Sequence, residues 1–273
     1  MTNGPWPAFC RGAVEDLRVV FDELPTRVER EPVRGIGAGG DETTAVDEAA
    51  EAAVVARLEL LHEQEGLDFR LVSEELGELD FGSTPVTRVI VDPIDGSLNA
   101  KRSIPYFSLS VAVAEGSTIE DVDYGFVHDF GSGEEWTASK GGGAWLDGER
   151  LGAVRPKEDE IEVLALEATV AAAVADKAVA FAGFAHRLRI MGSLALSLCN
   201  LAAGRVDAVC SLKEARAVDI AAAQLLLKEV GLPIMFVDAG PFDAAPLDAA
   251  ARSPVAAAGT RELCERLAHI VAT

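Results

Sequence analysis

Apolar residues recur at helical spacing near the start of the chain. These residues are Phe9, Ala13, Leu17, Val20 and Phe21. Their spacing places them on one face and predicts an amphipathic helix over residues 9–30. A Gly-rich loop at residues 35–40 follows, and a second helix with one apolar face is predicted from about Val46.

Short apolar runs with a period of two predict β-strands in the next part of the chain. Two such runs occupy residues 69–73 and 88–92. Three more follow in close succession, at residues 108–114, 123–127 and 135–138. Their short connections indicate antiparallel neighbours, and the three glycines at 141–143 mark a turn.

The second half of the chain alternates between strands and helices. Strands are predicted at residues 162–166, 206–210 and 233–237, and helices at residues 170–181, 193–203 and 218–230. Ser193 is a start signal, Gly231 closes a helix, and Thr260 caps a last helix. The predicted fold class is therefore α/β (α+β), with an N-terminal α+β half at residues 1–155 and a C-terminal α/β half at residues 156–273.

The composition predicts a globular protein of the cytoplasm. The 273 residues are 49% hydrophobic, which is enough for a substantial core. No apolar run is long enough to predict a membrane span, and residues 1–7 lack the basic and apolar pattern of a secretory signal. The four cysteines form no Cys-x-x-Cys pair, so we expect reduced thiols.

The net charge limits the classes of molecule that the protein can bind. A formal charge of −21 repels nucleic acid and anionic membranes, and it also repels a phosphate ester unless metal ions reverse the local field. A dense carboxylate shell with little lysine suggests a salt-loving source. The alternative is an acidic mesophilic protein from a GC-rich genome.

Candidate chemistry is concentrated in Asp92-Pro93-Ile94-Asp95-Gly96-Ser97, directly after a predicted strand. Two carboxylates and the Ile94 carbonyl are hard oxygen ligands of the kind that Mg²⁺ prefers. The amides of Gly96 and Ser97 would face an anion at the start of a helix. The alternative interpretation is an ordinary acidic turn.

Three further acidic positions are candidates. Glu74 and Glu75 follow a predicted strand, Asp219 begins an apolar helix, and Asp47 lies near the start of the second helix. In isolation, the first pair is typical of a solvated loop. Each of the two aspartates is also explained by a favourable interaction with a helix N-terminus.

Together these segments resemble the inositol monophosphatase superfamily of metal-dependent, lithium-inhibited phosphatases. The resemblance is carried by Glu74-Glu75, by the hexapeptide at residues 92–97, by residues 99–112, by Gly192-Ser193 with Ala203-Gly204 and Asp207-Ala208, and by Asp219-Ile220-Ala221-Ala222. It implies a layered αβαβα sugar-phosphatase fold, a homodimer, and two or three Mg²⁺ ions in each active site.

The resemblance also implies residue roles. Metal ligands would be Glu74, Asp92, the Ile94 carbonyl, Asp95 and Asp219. Ser97, at a position usually held by threonine, would act with Asp47 and Glu74 to orient and deprotonate a water. Substrate contacts would come from Asp95, Gly96, Ser97, Arg189, Ser193 and Asp219.

The chain departs from the pattern at three positions that bear on substrate choice. Thr43-Thr44 stands where many members have a lysine, Ala100 where phenylalanine is common, and Val218 where tryptophan is common. Asn99-Ala100 with Ile104-Pro105 resembles the archaeal branch, which implies activity on inositol 1-phosphate and fructose 1,6-bisphosphate. Arg189 is the predicted contact for a second phosphate.

Other functions remain open at this point. A 3′(2′),5′-bisphosphate nucleotidase of the same superfamily would share the metal signature. A non-catalytic metal-binding relative is the alternative from a different class. It would be favoured by the loss of a carboxylate, but the whole set is present.

Overall fold

The computed structural model describes residues 4–152, 161–167, 170–238, 240–248, 250 and 252–273. Over these ranges the helices α1 to α8 are Trp6–Glu23, Arg27–Arg30, Ala45–Glu65, Ser97–Arg102, Ala171–Ala182, Leu194–Ala202, Ala217–Glu229 and Arg261–Ala272. The strands β1 to β15 are Val33–Ile36, Glu42–Thr44, Phe69–Ser73, Gly77–Phe81, Thr87–Asp95, Ser108–Glu115, Val122–Asp129, Glu135–Ser139, Gly143–Leu146, Glu149–Arg150, Ile161–Glu167, Ala185–Arg189, Ala208–Ser211, Ile234–Phe236 and Val255–Ala258.

The strands form two large sheets and one short hairpin. The larger sheet has eight strands in the order β10-β9-β8-β7-β6-β5-β3-β4, and the second has five in the order β12-β11-β13-β15-β14. β1 and β2 pair antiparallel as the hairpin. Within the larger sheet, β3 and β5 run parallel, with Ser73 opposite Val91, so their carboxyl ends lie side by side.

Alternate residues of each strand face different helices, which produces five layers. On β5, Val89 and Val91 belong to the apolar core that includes α1 and α3, whereas Ile90 belongs to the core that includes α6 and α7. In the second sheet, Ala165 joins the α6 and α7 core, and the neighbouring Leu164 faces the core that includes α5 and α8. The helices α6 and α7 therefore lie between the two sheets, and the predicted αβαβα fold is confirmed.

Several local predictions are confirmed in detail. β3 has the predicted bounds, and β6, β7 and β8 are antiparallel neighbours. Ser193 caps α6 by accepting a hydrogen bond from the backbone N–H of Leu196 at 3.2 Å. Thr260 caps α8 in the same way, from the N–H of Leu263 at 3.2 Å.

The single helix predicted over residues 9–30 is wrong. α1 ends at Glu23, and the separate short helix α2 begins at Arg27. Pro25 lies between them and has no N–H to continue the helix. A new helix then begins after Thr26, whose N–H donates to the Glu29 carboxylate at 2.9 Å in a capping box.

The sequence did not predict some strands. The Gly-rich loop begins later than predicted, because Gly35 and Ile36 belong to β1. The other strands without a prediction are β2, β4, β9, β10, β12 and β15. Most of them are short or lie at a sheet edge, where one face is exposed and the apolar period is weak.

The two sheets draw their strands from different parts of the chain, one up to Arg150 and the other from Ile161. The predicted join near residues 150–160 lies mostly outside the described residues. The division into halves at residues 155 and 156 stays a prediction. Among the helices that the structure describes, none combines the length and apolarity needed to cross a membrane.

Candidate active site

Three carboxylates from separate elements meet at one edge of the larger sheet. Glu74 directly follows β3, Asp92 lies in β5, and Asp219 lies in the first turn of α7. One oxygen from each lies within 4.8 Å of the others. Parallel pairing of β3 with β5 sets the first two side by side, and the packing of α7 across the same sheet brings in the third.

The segment from Asp92 to Ser97 forms a turn at the end of β5. The strand register breaks between Asp92 and Asp95, and the Asp92 Oδ1 atom accepts a hydrogen bond from the Ile94 N–H at 2.9 Å. Gly96 has a φ of 94°, and a Cβ there would lie 3.0 Å from the Gly192 carbonyl oxygen. Glycine is therefore required for the turn to approach α6.

Asp95 turns away from the three-carboxylate cluster towards α6. Its Oδ2 atom accepts hydrogen bonds from the Ser193 hydroxyl at 2.5 Å and the Ala195 N–H at 2.8 Å. These contacts connect the end of β5 to the N-terminus of α6. The role of Asp95 as a metal and substrate ligand stays a prediction.

Asp47 and Ser97 also lie beside the cluster. Together with Glu74, Asp92 and the Ile94 segment they border a small cleft. The Asp47 Oδ2 atom accepts hydrogen bonds from the Thr44 N–H at 2.9 Å and the Thr44 hydroxyl at 2.5 Å, which fixes the carboxylate at the start of α3. The structure thus brings Asp47 and Ser97 together with three residues predicted to supply metal ligands, Glu74, Asp92 and Ile94.

A cavity of about 180 Å³ opens from the carboxylate cluster between β5, α6 and α7. The predicted site residues that line it are Glu74, Asp92, Ile94, Asp95, Gly96, Ser97 and Asp219. Ser193 reaches the cavity wall through its bond to Asp95. Arg189 does not line the cavity; it is exposed and donates from Nη1 to the Leu188 carbonyl at 2.9 Å.

Four charged residues of the cavity wall were not predicted from the sequence: Glu167, Lys213, Glu214 and Arg216. Glu167 ends β11, and its carboxylate accepts from the Gly192 N–H at 2.9 Å and the Ser197 hydroxyl at 2.6 Å. Its position after an apolar strand is the same signal that identified Glu74. Lys213 and Arg216 lie in the polar connection between β13 and α7.

Burial governs the protonation of these carboxylates in the absence of a cation. Desolvation, reinforced by the charge of Asp219, raises the pKa of Glu74 to about 7. Desolvation also raises the pKa of Asp95 to about 7, and it raises the pKa of Asp92 well above its usual value. The buried cluster therefore needs protons or positive charge, and the Arg216 guanidinium, paired with Glu74, supplies one such charge.

The donor set fits a hard divalent cation. The converging groups are carboxylate oxygens, and the described residues of the cavity wall include no histidine or cysteine that would favour zinc. Two of the three carboxylates have raised pKa values because their charge is buried without full compensation. A divalent ion would supply the missing positive charge.

Known proteins are similar to this chain in both sequence and fold. The sequence matches the inositol monophosphatase family over residues 9–273. A fructose-1,6-bisphosphatase/inositol-1-monophosphatase of Methanothermobacter thermautotrophicus is 34% identical over 242 residues, which are 85% of this chain and 84% of that protein. A protein of Thermococcus kodakarensis with the same description is 32% identical over 198 residues, 72% of this chain and 70% of that protein.

A solved structure agrees with these matches. A crystal structure described as an inositol monophosphatase-fructose 1,6 bisphosphatase superposes with a TM-score of 0.82 and 27% identity, over 97% of this chain and 99% of that chain. The family match spans both sheets and every predicted site residue. The chain therefore belongs to the inositol monophosphatase family, whose members are phosphatases that hydrolyse phosphate monoesters.

Proposed function

We propose that this protein is a Mg²⁺-dependent phosphatase that hydrolyses inositol 1-phosphate, fructose 1,6-bisphosphate or both. The observation that carries the proposal is the convergence of Glu74, Asp92 and Asp219 within 4.8 Å at the mouth of a cavity. Gly96 and Ser97 line the same cavity, and their backbone N–H groups would donate to a phosphate bound there. The helix α4 has only six residues, so these direct hydrogen bonds matter more than its dipole.

The metal would be held by the three clustered carboxylates, with the Ile94 carbonyl and Asp95 completing the set for two or three ions. When bound, Mg²⁺ would lower the pKa of a water molecule and neutralise phosphate oxygens. Lithium inhibition is part of the same proposal, since it follows from the resemblance to the family.

The proton chemistry would fall to Asp47, assisted by Ser97 and Glu74. Asp47 is only 7% exposed, and its Oδ2 atom is fixed by two hydrogen bonds from Thr44. A carboxylate held in this way can accept a proton from an attacking water without first reorganising. The Ser97 hydroxyl borders the same cleft and would orient that water.

The cavity wall favours a polyol over a nucleotide. Among the described residues that line the cavity, none is aromatic, so an adenine ring would find no stacking partner. The carboxylates of Glu167 and Glu214 offer acceptors for sugar hydroxyls. A 3′(2′),5′-bisphosphate nucleotidase therefore remains an outcome of the test and not the leading proposal.

The proposal includes a homodimer in the cytoplasm. The homodimer rests on the resemblance to the family. The cytoplasmic location is supported by the cysteines, because Cys10, Cys199, Cys210 and Cys264 are all free and buried.

The test is phosphate release with and without Mg²⁺, offering inositol 1-phosphate, fructose 1,6-bisphosphate and adenosine 3′,5′-bisphosphate in parallel. Asp92→Asn should abolish release, because it removes a charged ligand from the cluster. Glu63→Gln, an exposed change on α3, is the matched control and should have no effect. Release that does not need Mg²⁺, or full activity in Asp92→Asn, would contradict the proposal.

A further inference from the structure

Arg216 places a positive charge inside the carboxylate cluster. Its side chain is only 3% exposed, and it directly precedes α7. The Nη2 atom donates a hydrogen bond to the Glu74 carboxylate and lies 3.7 Å from Asp219 Oδ1. The guanidinium therefore contacts two of the three carboxylates that are proposed to bind the metal.

The other end of the same guanidinium lacks a hydrogen bond. The Nη1 atom is buried and has no hydrogen-bond partner in the described part of the chain. The carboxylate of Asp41 lies 3.7 Å from it, beyond hydrogen-bonding distance. A buried donor of this kind is costly, which indicates that the observed position of Arg216 is maintained by the carboxylates.

The loop before β2 leaves room for this group. A Cβ on residue 39 would lie 2.2 Å from the Arg216 Nη1 atom, so a larger residue at position 39 would force the guanidinium to shift. The Gly39 N–H also donates to the Glu74 carbonyl oxygen at 3.1 Å, which ties the loop to the cluster. The loop carries Asp41, and this carboxylate also lies 3.8 Å from Lys213.

Because of these contacts, the guanidinium would compete with a divalent cation for the same carboxylates. Both would bind the Glu74 carboxylate, whose Oε1 atom already accepts from Arg216, and both are positive, so they cannot occupy the cluster together without strong repulsion. We infer that Arg216 is the internal counter-ion of the metal-free site and that a divalent cation displaces it from Glu74. The released guanidinium can move towards Asp41, which already lies on its Nη1 side.

This inference rests on the proposed metal site and predicts an effect on metal affinity. Arg216→Gln removes the competing charge and should bind Mg²⁺ about tenfold more tightly at pH 8 and constant ionic strength. Arg216→Lys retains the charge and should stay near the wild-type affinity. Arg252→Gln is the matched control, because Arg252 donates to the Gly39 carbonyl and thus contacts the same loop without an ion pair in the cluster.

The experiment is calorimetric titration of each metal-free protein with Mg²⁺, together with melting temperatures without Mg²⁺ and at saturating Mg²⁺. Without Mg²⁺, Arg216→Gln should melt roughly 5 °C below the wild type, because the carboxylates lose their counter-ion. At saturating Mg²⁺ the difference should disappear. A purely structural role would lower both melting temperatures equally.

The outcomes separate the inference from the proposed function. Tighter binding in Arg216→Gln alone supports the counter-ion. If the Mg²⁺ affinity of that variant is unchanged or weaker, or if Arg252→Gln binds Mg²⁺ more tightly by the same factor, the counter-ion role of Arg216 is overturned. The proposed metal site is not affected by either result. If neither the wild type nor any variant binds Mg²⁺, the metal site itself is overturned, and the counter-ion with it.

Discussion

The Asp95 Oδ2 atom accepts a hydrogen bond from the Ser193 hydroxyl at 2.5 Å, although the two residues are 98 positions apart in the chain. The Ser193 oxygen also accepts from the Leu196 N–H at 3.2 Å and so caps α6. One hydroxyl therefore joins the end of β5 in the larger sheet to the helix layer between the sheets. The hydrogen bond thus holds α6, which forms part of the cavity wall, against the segment that carries Asp95.

Ser193→Ala should damage both stability and activity. It leaves the buried Asp95 carboxylate short of one donor and removes a helix cap, so we expect a loss of about 1–3 kcal/mol in the free energy of unfolding. We also expect kcat/KM to fall, because Asp95 and α6 border the cavity. Urea unfolding and phosphate release measure the two effects.

Thr260→Ala is the matched control, since Thr260 caps α8 by the same kind of bond but is not among the residues that line the cavity. It should lose about 1 kcal/mol of stability and keep its kcat/KM. If both variants kept full activity, the link from Ser193 to the site would be refuted.

Gly125→Ala tests the packing that carries Asp219. A Cβ on Gly125 in β7 would lie 2.7 Å from the Ala222 carbonyl oxygen and 3.2 Å from its Cα atom in α7. Backbone atoms cannot yield as a flexible side chain would, so α7 must move away from the sheet. We expect a loss of about 1–3 kcal/mol in unfolding free energy, with reduced Mg²⁺-dependent activity.

Gly35→Ala in β1 serves as the comparison, because a Cβ there would have no atom within 4 Å. Its unfolding free energy and its activity should both stay close to those of the wild type. Equal behaviour of the two variants in urea unfolding would show that α7 does not need the close approach at Gly125.

The sequence predicted those parts of the site that depend on local pattern. Glu74 and Asp92 were candidates because each follows or ends a strongly apolar strand. That they share one site was implied by the resemblance to the family, since the parallel pairing of β3 with β5 was not predicted from the strand pattern. Ser193 and Thr260 carry helix-start signals that need only a few neighbouring residues. These features were therefore available without knowledge of the packing.

Other features depend on contacts between distant segments. Arg216 pairs with Glu74, which lies 142 positions away, and no local pattern indicates that partner. β15 is composed of Val255 and three alanines, which are weak strand formers, yet it pairs on both sides, with β13 and β14, inside the second sheet. The burial of all four residues of β15 outweighs the low intrinsic preference of the alanines for a strand.

The structure offers Lys213 as an alternative to Arg189 for the contact with a second phosphate. Lys213 lines the cavity, whereas Arg189 lies outside its lining and is exposed. We expect Lys213→Ala to raise the KM for fructose 1,6-bisphosphate several-fold more than the KM for inositol 1-phosphate. Arg189→Ala, the sequence-based prediction, should show the smaller preference, and the opposite order in paired assays would restore Arg189 to the role.

Glu51 should make stability depend on pH. It is only 4% exposed, its Oε2 atom accepts from the Ser73 hydroxyl at 2.5 Å, and its Oε1 atom has no hydrogen-bond partner among the described residues. Burial, opposed by the Ser73 hydrogen bond, raises its pKa from 4.5 to about 7. The folded protein then binds more protons than the unfolded chain between these values, so this contribution is present at pH 4 and is lost as the pH rises through 7.

Glu51→Gln removes that titration. The wild type should lose stability between pH 5 and pH 8, and the variant should lose about 1–3 kcal/mol less of its unfolding free energy over the same range. Urea unfolding at saturating Mg²⁺ measures both losses. Glu63→Gln on the exposed face of the same helix should leave the pH dependence unchanged. A wild-type pH slope that persists in Glu51→Gln would assign it to other carboxylates.

The charge of the chain predicts a response to salt. With 45 acidic and 24 basic side chains, 21 negative charges have no basic counterpart, so repulsion outweighs the surface ion pairs that salt also weakens. Screening is nearly complete at about 1 M, where the Debye length is about 3 Å. We therefore expect the melting temperature to rise between about 0.1 and 1 M KCl, the range over which the Debye length shortens from about 10 Å to about 3 Å, and then to level off.

Sucrose at matched osmolality is the control for the exclusion of solutes from the protein surface. That stabilising effect keeps growing with concentration and does not level off. A melting temperature unaffected by KCl would remove the case for a salt-adapted surface and favour the acidic mesophilic alternative.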